Sequence, residues 1–100
     1  MGQRRRIVTV RAKLSAKFVE RVKTPGRYRD HDVRGLYLEV RAGKRDLAKS
    51  FVLRYMLDGR ERWMGLGSAR DVTLKDVRDK AREARSKLKK GVDPLASKTR

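Results

Sequence analysis

Ser50-Phe51-Val52-Leu53-Arg54-Tyr55-Met56-Leu57-Asp58-Gly59-Arg60-Glu61-Arg62-Trp63-Met64-Gly65-Leu66 is the stretch that decides the fold. Two runs of β-forming residues flank Asp58-Gly59, and a type I′ turn needs positive φ at both central positions, which Asp and Gly tolerate. A hairpin with that turn sets Leu57 opposite Arg60, Tyr55 opposite Arg62, Arg54 opposite Trp63 and Leu53 opposite Met64. Alternation then sorts the side chains. One face collects Phe51, Leu53, Tyr55, Leu57, Met64 and Leu66, with Arg60 and Arg62 towards the turn. The other collects Val52, Arg54, Met56, Glu61, Trp63 and Gly65. A slip of one residue would exchange the two faces.

Upstream, Gly35-Leu36-Tyr37-Leu38-Glu39-Val40-Arg41 also alternates, with Leu36, Leu38 and Val40 on one side and Tyr37, Glu39 and Arg41 on the other. It reads as a half-buried strand, joined to the hairpin by the polar turn Gly43-Lys44-Arg45-Asp46. Tyr28-Arg29-Asp30 is extended enough for a short preceding strand. Before it, Leu14 to Lys23 reads as a two-turn helix capped by Ser15, with Leu14 stapled on Val19, a face of Phe18 and Val22, and a stop at Thr24-Pro25-Gly26.

Downstream, Thr73 caps a longer helix that runs to about Lys90, and Asp76 suits the positive end of its dipole. Leu74, Val77, Ala81, Ala84 and Leu88 recur at three- and four-residue steps, a stripe wide enough to cover one face of a small sheet. The fold class is therefore α+β. Helices on one side leave the other sheet face, with Tyr37, Glu39, Arg41, Arg54, Met56, Glu61 and Trp63, to water or to a ligand.

The charge indicates which ligand. Twenty-nine Lys and Arg against 12 Asp and Glu give a net charge of +17 in 100 residues. Self-repulsion on that scale costs stability unless a polyanion relieves it. Residues 1–13 alone carry Arg4, Arg5, Arg6, Arg11 and Lys13 with no acid. This reads as a flexible basic arm, either solvated or following a nucleic-acid groove. Arginine forks suit guanine edges or phosphate, and a narrow β surface fits the major groove of duplex DNA. The DNA-binding candidates are thus Tyr37, Glu39, Arg41, Arg54, Met56, Glu61 and Trp63 on the sheet, with Arg4, Arg5, Arg6 and Arg11 in the arm. An RNA-binding or ribosome-associated protein is the alternative, with Trp63 and Tyr37 stacking on unpaired bases.

Catalytic chemistry has little to draw on. Cysteine is absent, His31 is the lone histidine and sits in a polar turn between Asp30 and Asp32, and no carboxylate pair or metal set is evident. Gly65-Leu66-Gly67 lacks the third glycine of a phosphate cradle and reads as a strand exit. No cofactor and no metal are expected. No apolar run approaches the roughly 18 residues of a membrane span, and the N-terminus lacks a secretory apolar segment, so the expected setting is cytoplasmic.

Tyr28-Arg29-Asp30, Gly35 to Val40, Lys49 to Tyr55, Leu57-Asp58-Gly59-Arg60, Met64-Gly65-Leu66-Gly67 and Gly91-Val92-Asp93-Pro94-Leu95 together form an ordered pattern. Over roughly residues 14–96 it resembles the N-terminal arm-type DNA-binding domain of tyrosine recombinases, the integrases of phages and genomic islands. The resemblance implies a three-stranded antiparallel sheet packed on a C-terminal helix, its face inserted in the major groove of arm-type sites in a bacterial host. It also implies a following core-binding domain and a catalytic domain, so that the chain ending at Arg100 reads as a non-enzymatic fragment. None of Tyr28, Tyr37 and Tyr55 is then a nucleophile. The expected division is a basic arm over 1–13, the DNA-binding domain over 14–91 and the start of a linker over 92–100. The basic extension before Leu14 departs from the family's pattern.

Overall fold

The computed structural model describes residues 14–95. The hairpin forms in the expected register: Asp58 and Gly59 take φ of 53° and 76°, and β3 (Leu47–Leu57) pairs antiparallel with β4 (Arg60–Ser68), placing Arg54 opposite Trp63 and Leu53 opposite Met64. That register runs from Leu57 to Val52. Beyond it Phe51 pairs with Gly67 while Val52 pairs with Gly65, so Leu66 is unopposed and the strand bulges. The Gly65-Leu66-Gly67 stretch thus forms the exit end of β4, which closes at Ser68. At φ 126°, Gly67 also lies so close to Val72 that a Cβ would meet its methyls at 3.2 Å.

β2 (Leu36–Ala42) pairs with β3, and β1 (Gly26–Arg29) pairs with β2, giving a four-stranded antiparallel sheet in the order β1-β2-β3-β4. The expectation of three strands is corrected. The additional edge strand is only four residues long and buries a single side chain, Tyr28, so its period of two barely registers in sequence.

Both helices lie on one face. α2 (Leu74–Lys89) starts where Thr73 Oγ1 accepts from the Asp76 N–H at 3.1 Å and buries Leu74, Val77, Ala81 and Ala84, with Leu88 partly covered. Its stripe meets β3 and β4 and closes a core that includes Leu36, Leu38, Val40, Phe51, Leu53 and Tyr55. α1 (Ala16–Arg21) is capped by Ser15 and sits over the β1 side, where the Phe18 and Tyr28 rings meet edge to face at 5.2 Å. Lys49 Nζ reaches up from β3 to the carbonyls of Val19 and Glu20.

The loop between β1 and β2 is tied to α2 through Asp30, which is 2% exposed and accepts from the Val33 N–H and from Arg78 Nη2 at 2.7 Å. Arg78 also reaches the Leu14 carbonyl. His31 is exposed within this loop. At the other end, Tyr55 donates to Asp93 at 2.6 Å and Arg62 approaches the same carboxylate at 3.7 Å, while Pro94 is fully buried.

Candidate nucleic-acid interface

With both helices on one side, the opposite face of the sheet is uncovered by any described element. The strand registers project Tyr37, Glu39 and Arg41 from β2, Arg54 and Met56 from β3, and Glu61 and Trp63 from β4 onto it. All seven sheet candidates therefore share one surface. Arg4, Arg5, Arg6 and Arg11 lie outside the described residues.

The centre of the face is aromatic. Tyr37 and Trp63 reach towards one another across β3 with ring centroids 5.8 Å apart, over the small or short side chains of Gly65 and Val52. Arg27 lies with its guanidinium carbon 4.3 Å from the centroid of the Trp63 ring, a cation–π contact that holds both groups. Its Nε also donates to Glu39 at 3.3 Å, and Arg41 approaches Glu39 at 3.9 Å. Glu39 thus organises two arginines on one carboxylate.

Towards the hairpin tip, Arg54 donates to the Glu61 carboxylate. That hydrogen bond, followed by the Glu61 charge, raises the Arg54 guanidinium still further above its ordinary value, so it stays protonated. Beside it Met56 is 55% exposed and leaves an apolar side chain open at the hairpin end of the face.

Arg27 and Arg29 belong to the same face, because Tyr28 between them points into the core. Sequence reasoning misses both. The available signal is the alternation Arg27-Tyr28-Arg29, one apolar residue framed by two arginines, once that segment is taken as a strand paired with β2. The face then presents Arg27, Arg29, Arg41 and Arg54 against Glu39 and Glu61, a cationic surface on which Arg27 and Arg54 are held by carboxylates and a ring.

Among the described residues no group of three or more His, Asp or Glu side chains could hold a metal ion, and no helix is long and apolar enough to cross a membrane. Guanidinium forks supply directed donors for phosphate or base edges, and Met56 and Trp63 supply apolar contact.

Comparison with known proteins agrees in kind. The chain is 37% identical over 86 residues to an integrase of Shigella phage Sf6 and, equally, to the prophage integrase IntS of Escherichia coli K12. Each alignment covers 85% of this chain and 22% of the relative, so the chain spans about a fifth of the length of these integrases. No solved structure matches it. Residues 9–100 match the family described as Arm DNA-binding domain, and the chain belongs to that family.

Proposed function

We propose that the uncovered sheet face enters the major groove of duplex DNA at arm-type sites, as the site-binding part of an integrase that carries out site-specific recombination. The observation that carries this reading is the juxtaposition of Arg54, Met56, Trp63 and Tyr37 on the one face the helices leave bare. Adjacent strands lie about 4.8 Å apart, so β2 to β4 span roughly 10 Å of backbone, close to the ~12 Å width of the major groove. Adding β1 exceeds that width. Arg29 then falls at the groove wall, where phosphates stand, while Arg54, Met56 and Trp63, with the Arg27 guanidinium lying on the Trp63 ring, address base edges. Arg41, Glu39 and Glu61 hold or flank these contacts, and Arg4, Arg5, Arg6 and Arg11 add sequence-independent phosphate contacts.

Selection from a pool of randomised duplexes tests the proposal. The expected result is enrichment of a discrete motif whose guanine N7 positions the bound protein protects from methylation. Uniform recovery of all duplexes, with equal competition by single-stranded RNA, would contradict it.

A further inference from the structure

Arg78, Arg82, Arg85 and Lys89 form one flank of α2, turned to the loop between β1 and β2. Their neutralisation fades along the helix. Arg78 is paired with both Asp30 and Asp32, and Arg82 with Asp32 at 3.9 Å and Asp79 at 3.3 Å. Among the described residues, Arg85, Lys89 and the facing Arg34 have no carboxylate within ion-pair distance. Arg85 instead donates from Nη1 to the Arg34 carbonyl at 3.0 Å, which brings two arginines together.

Arg34, Arg82, Arg85 and Lys89 line a concavity of about 290 Å³ together with Asp32, Val33 and Ser86. The arrangement is unfavourable as it stands: burial, and then the charge of Arg34, push the Arg85 guanidinium below its ordinary value. A bound anion would offset both effects by stabilising the charged guanidinium. The cluster lies on the helix side of the sheet and reaches its backbone at the start of β2, beside Arg54. A Cβ on Gly35 would meet Arg85 Nη1 at 2.9 Å, and the Gly35 carbonyl accepts from the Arg54 N–H at 2.8 Å. Only one backbone segment separates the cluster from Arg54.

We infer that Arg34, Arg85 and Lys89 form a second contact, a clamp for a phosphodiester of the duplex whose major groove the sheet occupies. This rests on the duplex reading of the sheet. The clamp binds backbone rather than bases, so it contributes affinity and salt dependence while the sheet contributes discrimination.

The test uses the whole chain, a duplex selected as above and a scrambled duplex, titrated across salt. The paired substitution Arg34→Gln with Lys89→Gln alters two exposed side chains and is expected to reduce the log–log salt slope by about 1.8. Affinity for both duplexes should fall by the same factor. Lys75→Gln with Lys80→Gln removes equal charge elsewhere on α2 and should change the slope by less than about 0.5. Arg85→Gln should reduce the slope alone by about 0.9, with thermal unfolding confirming that the fold is intact. Equal slopes for the clamp pair and the control pair would overturn the clamp and leave the sheet reading standing. If the parent chain cannot distinguish selected from scrambled duplex yet the clamp pair still loses slope, the sheet reading fails, and the cluster is a phosphate contact independent of the groove rather than the clamp inferred here.

Discussion

On β3, Phe51, Leu53 and Tyr55 are buried under α2, whereas Arg54 and Met56, each one residue from them, stand exposed on the opposite side. One strand therefore carries two surfaces of different physics. The helix side is held by dispersion and exclusion of water, with its one buried carboxylate, Asp30, fully engaged by Arg78 and the Val33 N–H. The open side is held by Arg–Glu pairs and an arginine lying on a tryptophan, weak contacts in water that serve to orient groups. Substitutions on one side should therefore act on stability and those on the other on recognition.

The largest effect is expected at Leu53, which is fully buried. Leu53→Ala should destabilise the fold by about 2 to 5 kcal/mol through lost contact and the cavity left behind. Urea unfolding measures this, and whatever folded fraction remains should still prefer its selected duplex. Arg54→Ala should show the opposite pattern: roughly 5- to 150-fold weaker binding to the selected duplex, as for loss of a base-edge fork, with an unchanged melting temperature. Reversal of these two results would mean that the faces are exchanged.

A smaller effect sharpens the helix side alone. Burial, followed by the hydrogen bond to Asp93, pushes the Tyr55 hydroxyl from 10.0 up to about 12. Because the folded value lies above the unfolded one, this contribution is fully present below pH 10 and is lost as pH rises from about 10 to about 12. Tyr55→Phe should flatten that part of the pH–stability curve without altering duplex preference. A curve of unchanged shape would remove Tyr55 from the account.

The hairpin was legible because Asp58-Gly59 admits few turns, and the turn fixes the faces from Leu57 back to Val52 and from Arg60 to Gly65, up to the bulge. The core stripe of α2 was legible by period. β1 was legible only as the short extended segment Tyr28-Arg29-Asp30, since one buried tyrosine between two arginines says little about where the strand sits in the sheet, and Arg27 and Arg29 were therefore missed on the candidate face. Arg27 meets Trp63 from three strands away, a contact that no local spacing encodes. Asp30 reads in sequence as a loop acid beside His31, because its partner Arg78 is 48 residues distant. Gly67 did offer a signal, as an isolated glycine in a strand often marks a bulge. Asp93-Pro94 reads as the start of a linker, yet Asp93 is held by Tyr55 and Pro94 is buried.

Trp63 is the one tryptophan of the chain and stands on the open face, so its emission reports that surface alone. The most direct test is acrylamide quenching of Trp63 fluorescence as the selected duplex is added, with binding followed in parallel by the anisotropy of labelled DNA. If the sheet face meets the groove, Trp63 should become protected from quenching in step with binding, and the change should saturate at the same DNA concentration. Full binding by anisotropy with Trp63 as accessible as in the free protein would place the DNA elsewhere and contradict the account.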